Sequence, residues 1–295
     1  MLYRKQVKSV LNRHKQRDSW FLTDYSVNPY EGCSCNCLYC YVRGSRYGEN
    51  MNDTLAVKAN APALLEKQLQ LRARKNQYGF VAVGSATDAY IHQEQEERMT
   101  EQILRLLLKY RFPVFISTKR HLITRDIELL KAIDRAAILP ADLQWFGRGV
   151  ILSVSLSTLD ESIAGMLEPG AIAPIQRLQL VQQLKQEGFL TGVNAIPLLP
   201  FISDTEEEME KLIAAAAQYN AGYILCGGLT LFGNAAADSK TLYYKFLERY
   251  EPGLIPAYDE LYNQQQPHIH RQYQDVLRQK ADRLCNKYHI KNRII

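Results

Sequence analysis

The 295-residue chain contains no run of about 18 apolar residues, the length that a membrane-spanning helix needs. Its first 17 residues, "MLYRKQVKSVLNRHKQR", contain no acidic residue and no apolar core, so this start does not read as a secretory signal. No internal repeat or low-complexity tract is visible, which argues against a solenoid or a disordered tail. Cysteine is scarce, at six residues. In the reducing cytoplasm these absences imply, clustered thiols read as metal ligands rather than as disulfides. Neither sign of charge dominates: 36 Lys and Arg against 31 Asp and Glu leave +5, which permits an anionic partner without requiring one. These features predict a cytoplasmic monomer with no membrane association.

What the chain does have is an ordinary globular composition, 46% hydrophobic and 23% charged, and an alternation of short apolar runs with helical patterns. "GFVAVGS" (79–85), "FPVFIST" (112–118), "GVILSVSLST" (149–158), "FLTGVNAIPLL" (189–199) and "GYILCGGLTL" (222–231) read as strands, with another near Tyr25–Tyr30. Between them, "EQILRLLLKY" (101–110) puts Ile103, Leu104, Leu107 and Leu108 on one helical face. Residues 125–133 form a helix capped by Thr124, and a Thr158–Glu161 capping box opens the next. Residues 175–188 form a helix ended by Gly188, and Ser203 with Glu206 caps one running to about Tyr219. Strands alternating with helices imply parallel βαβ units. Six units predict the α/β class, as a partial (β/α)6 barrel of parallel strands with a C-terminal helical cover. The expected layout is a basic N-terminal segment at 1–19, the barrel at 20–237 and the helical extension at 238–295. Sites in such barrels form at the C-terminal strand ends, where Ser85 to Asp88, Ser117 to Lys119, Ser155 to Thr158, Asn194 and Cys226 fall. In "GVILSVSLST", Val150, Leu152, Val154 and Leu156 alternate with Ser153, Ser155 and Ser157, so the serines suit a polar lumen.

The first of those strands leads into "NPYEGCSCNCLYCYVRG", where four of the six cysteines fall between Cys33 and Cys40. Cys33, Cys37 and Cys40 have the spacing C-x3-C-x2-C. Three thiolates on one loop can bind three irons of a [4Fe–4S] cluster and leave the fourth open to a substrate or cofactor. Adding Cys35 gives four thiols, which a structural zinc site also takes. Such sites normally join two separated pairs, and four ligands in eight residues would strain a tetrahedral shell. The zinc reading, a non-catalytic and zinc-stabilised nucleic-acid-binding protein, stands beside the iron–sulfur reading.

The C-x3-C-x2-C loop after the first barrel strand is the signature of the radical SAM enzymes. The wider sequence resembles one branch of them, the spore photoproduct lyase-like (DNA repair photolyase-like) proteins. The resemblance spans roughly residues 20–235. It rests on the cysteine stretch and on "VKANAPALLEKQL", "VGSATDAYIHQE", "MTEQILRLLLKYRFPVFISTKRHLITRDIELL", "SVSLSTLDESIAGMLEP" and "IPLLPFISD", in that order. It implies an enzyme whose [4Fe–4S] cluster, on Cys33, Cys37 and Cys40, cleaves S-adenosylmethionine reductively and so abstracts hydrogen from a substrate. It implies an electron donor such as flavodoxin or ferredoxin. Cofactor contacts fall on Tyr39, Ser85, Thr87, Asp88, Lys119 and Ser155. Arg177 is a weaker candidate, since an arginine on a helix is usually exposed. Ile196 and Pro197 would flank the adenine.

One departure limits the analogy. The lyase of this branch returns a hydrogen atom from a cysteine in the loop after the second strand, and here that position is Ser85. A serine O–H bond is much stronger than a thiol S–H bond, so Ser85 cannot do this. Tyr39 and Tyr41, which the resemblance ties to hydrogen relay, are kept. Tyr41 and Cys226 are therefore the candidate catalytic residues, with Cys226 a substitute donor. A nucleic-acid substrate is compatible with six Lys or Arg among the first 17 residues. It is also compatible with His268, His270, Arg271, Arg278, Lys280, Arg283, Lys287, Lys291 and Arg293.

Overall fold

The fold is taken from a computed structural model that describes residues 2–45, 47–48, 55–262 and 267–295. Its elements in chain order are β1 (Leu2–Lys5), β2 (Leu11–Arg13), β3 (Thr23–Val27), β4 (Tyr30–Glu31), β5 (Leu55–Lys58), α1 (Ala61–Arg74) and β6 (Phe80–Val83). Then come α2 (Glu94–Glu97), α3 (Met99–Tyr110), β7 (Val114–Thr118), α4 (Ile127–Ala136), β8 (Val150–Ser155), α5 (Glu161–Leu167) and α6 (Pro174–Gln186). The last are β9 (Leu190–Ala195), α7 (Glu206–Gln218), β10 (Ile224–Cys226), α8 (Ser239–Tyr250), α9 (Ile255–Leu261) and α10 (Arg271–Lys287). The chain divides into two compact units. The first holds Met1–Ser34, Asp53–Ser153 and Gln183–Thr191; the second holds Cys35–Asn52, Val154–Gln182 and Gly192–Ile295.

A seven-stranded sheet has the order β10-β9-β8-β7-β6-β3-β2. The pairs β3–β6, β6–β7 and β9–β10 are parallel, and β2 is an antiparallel edge strand on β3. Apart from β2, the strands follow chain order with helices between them, which is the partial (β/α)6 barrel. In the first unit α3 buries Ile103, Leu104 and Leu107, spaced for one helical face, while α1 buries Ala61, Leu65 and Leu69. Every residue of β8 is buried, Ser153 and Ser155 included, so its alternation separates two covered faces rather than an inside from an outside.

Several local expectations shift. The helix expected to begin after Thr124 starts from a 3-10 turn (His121–Asp126), and the Thr124 hydroxyl donates instead to the His121 carbonyl at 3.0 Å. Helix α5 is capped by Asp160, whose carboxylate accepts from Ile163 N at 2.9 Å, while Thr158 Oγ1 accepts from Asp160 N and shapes the turn before it. Helix α7 is capped by Thr205 rather than Ser203, whose hydroxyl accepts from Leu199 N. In α5 and α7 the expected hydroxyl closes a turn and a residue with extended backbone, Asp160 or Thr205, takes the cap, whereas α4 begins after Asp126 with no side-chain cap. A three-stranded sheet of order β1-β5-β4 pairs residues some fifty positions apart, such as Leu2 with Leu55. The strand expected at 222–231 is only three residues long.

In the second unit, α10 packs on β10 and α7 and buries Leu277, Ala281, Leu284 and Cys285. Helices α8 and α9 close an aromatic-rich core around Tyr243, Phe246, Tyr258 and Tyr262. The Tyr258 hydroxyl reaches the Pro200 carbonyl at 2.6 Å, which satisfies its polar end inside that core.

Candidate active site

In the first unit, the segments just past β3, β6 and β7 are bonded to one another. The Asn28 side chain donates to Ser85 Oγ at 3.1 Å and accepts from Ala86 N at 2.8 Å. Asp88 accepts from Tyr90 N at 2.8 Å, from Thr118 Oγ1 at 2.7 Å and from Lys119 N at 2.8 Å. Its carboxylate is thus a bracket that sets the backbone where the Lys119 side chain begins. Thr87 donates to the Gly32 carbonyl at 2.6 Å, immediately before Cys33. Ser34, immediately after that cysteine, accepts from His92 N at 2.9 Å and from Arg120 Nη2 at 3.1 Å. Asn28 and Arg120 were not among the residues expected from sequence. Their positions, directly after β3 and directly after Lys119, were the available signal.

In the second unit the cysteine loop lies on the segment that follows α5. Leu38 N donates to the Leu167 carbonyl at 2.8 Å, and Gly170 N donates to the Cys35 carbonyl at 3.0 Å. The Tyr39 hydroxyl donates to Glu168 Oε1 and meets Ser157 Oγ at 2.9 Å. Burial first, then the neighbouring Glu168 carboxylate, push this phenol well above its ordinary range, so it stays a donor. Arg43 adds a further brace, donating from Nε to the Cys37 carbonyl at 3.1 Å and from Nη2 to Asn36 Oδ1.

Arg177 overturns the expectation of an exposed helical arginine. It is 1% exposed. Its guanidinium pairs with Glu168 at 2.5 Å and donates to the Ile172 carbonyl at 2.7 Å and the Ser155 carbonyl at 3.2 Å. A buried charge persists only when paired and hydrogen-bonded, and these contacts meet that condition. Cys226 is buried at the end of β10, and the neighbouring Cys285 of α10, then burial, raises its thiol well above an ordinary one. Tyr41 differs from both. It is 44% exposed, yet surrounding protein, with Cys40 and Tyr47, pushes its hydroxyl up to about 12. It is a neutral O–H.

Of the four clustered thiols, Cys33, Cys37 and Cys40, spaced C-x3-C-x2-C, are each partly buried, whereas Cys35 is buried.

The basic segments are less free than their sequence implies. Arg4 pairs with Glu97 at 2.7 Å, Lys5 with Glu31, and Arg17 with Asp24 at 3.0 Å. In the C-terminal segment Arg278 pairs with Asp275 at 3.0 Å, Arg283 with Glu206 at 2.6 Å, and Lys287 with Glu210. No helix among the described residues is long and apolar enough to cross a membrane.

Comparison with known proteins agrees with this architecture. An uncharacterised protein of Mycobacterium tuberculosis is 28% identical over 273 residues, covering 90% of this chain and 75% of its own length. A radical SAM Nalpha-GlyT isomerase of Pseudomonas phage M6 is 21% identical over 264 residues, covering 89% of this chain and 50% of its own. Among solved structures, a spore photoproduct lyase variant with bound AdoMet and dinucleoside spore photoproduct superposes with a TM-score of 0.66. That match has 14% identity and covers 97% of this chain and 79% of that one, so the likeness is one of fold. The model of the radical SAM superfamily matches residues 27–215, well over half of the chain. The protein is an enzyme that belongs to the radical SAM superfamily.

Proposed function

We propose that the chain uses a [4Fe–4S] cluster and S-adenosylmethionine to abstract hydrogen from a substrate, and that the substrate is a nucleobase in DNA or RNA. The observation that carries the first part is the cysteine loop, with C-x3-C-x2-C spacing, inside the matched superfamily region. Cys33, Cys37 and Cys40 would hold the cluster. When bound, cluster and cofactor supply one-electron cleavage of a sulfonium and hence a carbon radical that takes hydrogen. The substrate class is supported by the dinucleoside photoproduct bound to the structurally similar lyase.

The chain's own residues do the positioning. The Lys119 ammonium, aimed by the Asp88 bracket on its backbone, is the counter-charge for the cofactor's carboxylate. Ser85, held by Asn28, and Ser155, at the end of β8, supply neutral polar contacts. Thr87 acts from behind, through the Gly32 carbonyl. Tyr41, directly after Cys40, carries a neutral hydroxyl and is the relay group for returning hydrogen. Ser85 stands where the lyase of the resembling branch has its donor cysteine, so repair of thymine dimers by that route is not part of the proposal.

The test is anaerobic reconstitution with iron and sulfide, followed by reduction with dithionite. The expected result is near four irons per chain and release of 5′-deoxyadenosine, accelerated by oligonucleotides carrying the substrate base. A colourless zinc protein that releases none would overturn the cluster assignment. Release that no nucleic acid stimulates would overturn the substrate assignment alone. Tyr41→Phe should leave cofactor cleavage intact and lower product formation.

A further inference from the structure

We infer that Glu168 is a positioning residue for the cysteine loop: through Tyr39 on one side and Arg177 on the other, it ties the segment between two cluster ligands to the end of β8. The inference rests on the function proposed above, because it gives that loop a cluster to hold.

Tyr39 lies between Cys37 and Cys40, in a stretch of turns with no strand to fix it. Three contacts bind the stretch to residues 167–170. Two are the backbone bonds Leu38 N to Leu167 O, 2.8 Å, and Gly170 N to Cys35 O, 3.0 Å. The third is the Tyr39 hydroxyl on Glu168 Oε1. The other carboxylate oxygen pairs with Arg177 Nη1 at 2.5 Å, and that guanidinium also holds the Ser155 carbonyl at 3.2 Å. Ser157 Oγ completes the ring on Tyr39 at 2.9 Å. Tyr39, Ser157, Glu168 and Arg177 are all buried. A buried ion pair is a poor source of stability against an apolar replacement, and its best-attested use is to specify one arrangement. Here the arrangement specified is the loop that presents Cys37 and Cys40, together with the strand end that carries Ser155. Binding is tighter when a site is already in its bound geometry, so the splint acts on cofactor affinity rather than on the chemistry.

The test compares wild type with Tyr39→Phe, which removes one hydroxyl, and Glu168→Gln, which removes the charge. Amide hydrogen exchange on the cluster-free chain is read first. Leu38 and Gly170 should exchange about tenfold faster in both variants, the scale of one lost hydrogen bond, while amides of β3 and β6 keep wild-type rates. The reconstituted proteins are then titrated with S-adenosylmethionine, and the change in the electron paramagnetic resonance of the reduced cluster is followed. The variants should load the same iron but need about tenfold more cofactor for half the change. Wild-type exchange at Leu38 and Gly170 in Tyr39→Phe, or a wild-type titration, overturns the positioning role. A wild type that binds no cluster, or whose spectrum ignores the cofactor, overturns the proposed function instead. The exchange result still decides whether Glu168 holds the loop. If Glu168→Gln does not fold, Tyr39→Phe carries both readings.

Discussion

Each unit holds a Tyr–Glu–Arg network, and the two are built differently. In the first unit the Tyr30 hydroxyl donates to Glu94, which also accepts from Thr100 N at 2.9 Å and pairs with Arg125 at 2.7 Å. Arg125 serves a second buried carboxylate, Asp126, at 2.9 Å, and is itself partly open to solvent. Burial alone would lower the Arg125 guanidinium, but Asp126 and Glu94 hold it above its ordinary value. In the second unit Glu168 bonds Tyr39 and pairs with Arg177, and all three are buried. The difference extends to the backbone. Tyr30 sits in β4, fixed by its ladder with β5 opposite Val57, so its hydroxyl adds stability to a position already set. Tyr39 has no ladder, so its hydroxyl is part of what sets the position. The same three residue types thus anchor a sheet in one unit and shape the cysteine loop in the other.

The largest effect that can break this contrast comes from the arginines. Arg125→Met leaves Glu94 and Asp126 as neighbouring buried carboxylates. Removing one partner of a buried pair costs about 3–5 kcal/mol, and two stranded acids place Arg125→Met at the upper end. Arg177→Met strands one carboxylate and belongs at the lower end of that range. Urea denaturation of the cluster-free chains measures both. A larger loss for Arg177→Met than for Arg125→Met breaks the argument from acid-to-arginine balance.

The tyrosines give a smaller and sharper pair. Tyr30→Phe and Tyr39→Phe each delete a hydroxyl bonded to a buried carboxylate, worth about 1.5–3 kcal/mol. Their stability losses should be alike. The contrast predicts that only Tyr39→Phe weakens the response of the reduced cluster to S-adenosylmethionine. Equal responses in the two variants would show that the β4–β5 ladder makes no difference.

Legibility in the sequence followed the same division. The parallel strands, α3 and the cysteine loop were readable because each is announced by a local pattern: a short apolar run, a helical stripe, a fixed spacing. Arg177 was not readable. Helix α6, "PIQRLQLVQQLKQ", mixes glutamines among its leucines and shows no polar face to which an arginine would be denied. Its burial is created by Glu168, nine residues away and outside the helix, and by the Ser155 carbonyl on a strand. Glu168 itself was visible only as part of "MLEP". Cys226 falls at a strand end as expected, but its neighbour Cys285 in α10 was not readable, because no local pattern joins the two segments. The β1–β5–β4 sheet escaped for a related reason: β1 and β5 are separated by about fifty residues, and no helix among the described residues between them marks the pairing.

The smallest effect concerns how Glu168 is held in place along the chain. Helix α5 runs from Glu161 to Leu167 and ends immediately before Glu168. It is only seven residues long, so it has little propagation to offset its nucleation and depends on its cap and its packing. Its cap is Asp160, which accepts from Ile163 N, and not the Thr158 expected from the capping-box pattern. Asp160→Ala should cost about 1 kcal/mol, and Thr158→Ala less, because that hydroxyl binds only the Asp160 amide. If α5 transmits order to Glu168, the Asp160 variant should also speed amide exchange at Leu38, whose acceptor is the last residue of α5. It should do so by less than Tyr39→Phe, since the carboxylate keeps its bonds to Tyr39 and Arg177. Exchange at Leu38 that is unchanged while the helix amides of α5 speed up would mean that the loop is held by the Tyr39–Glu168–Arg177 network alone. The contrast between the two units would then rest on those three side chains and not on the helix that leads to them.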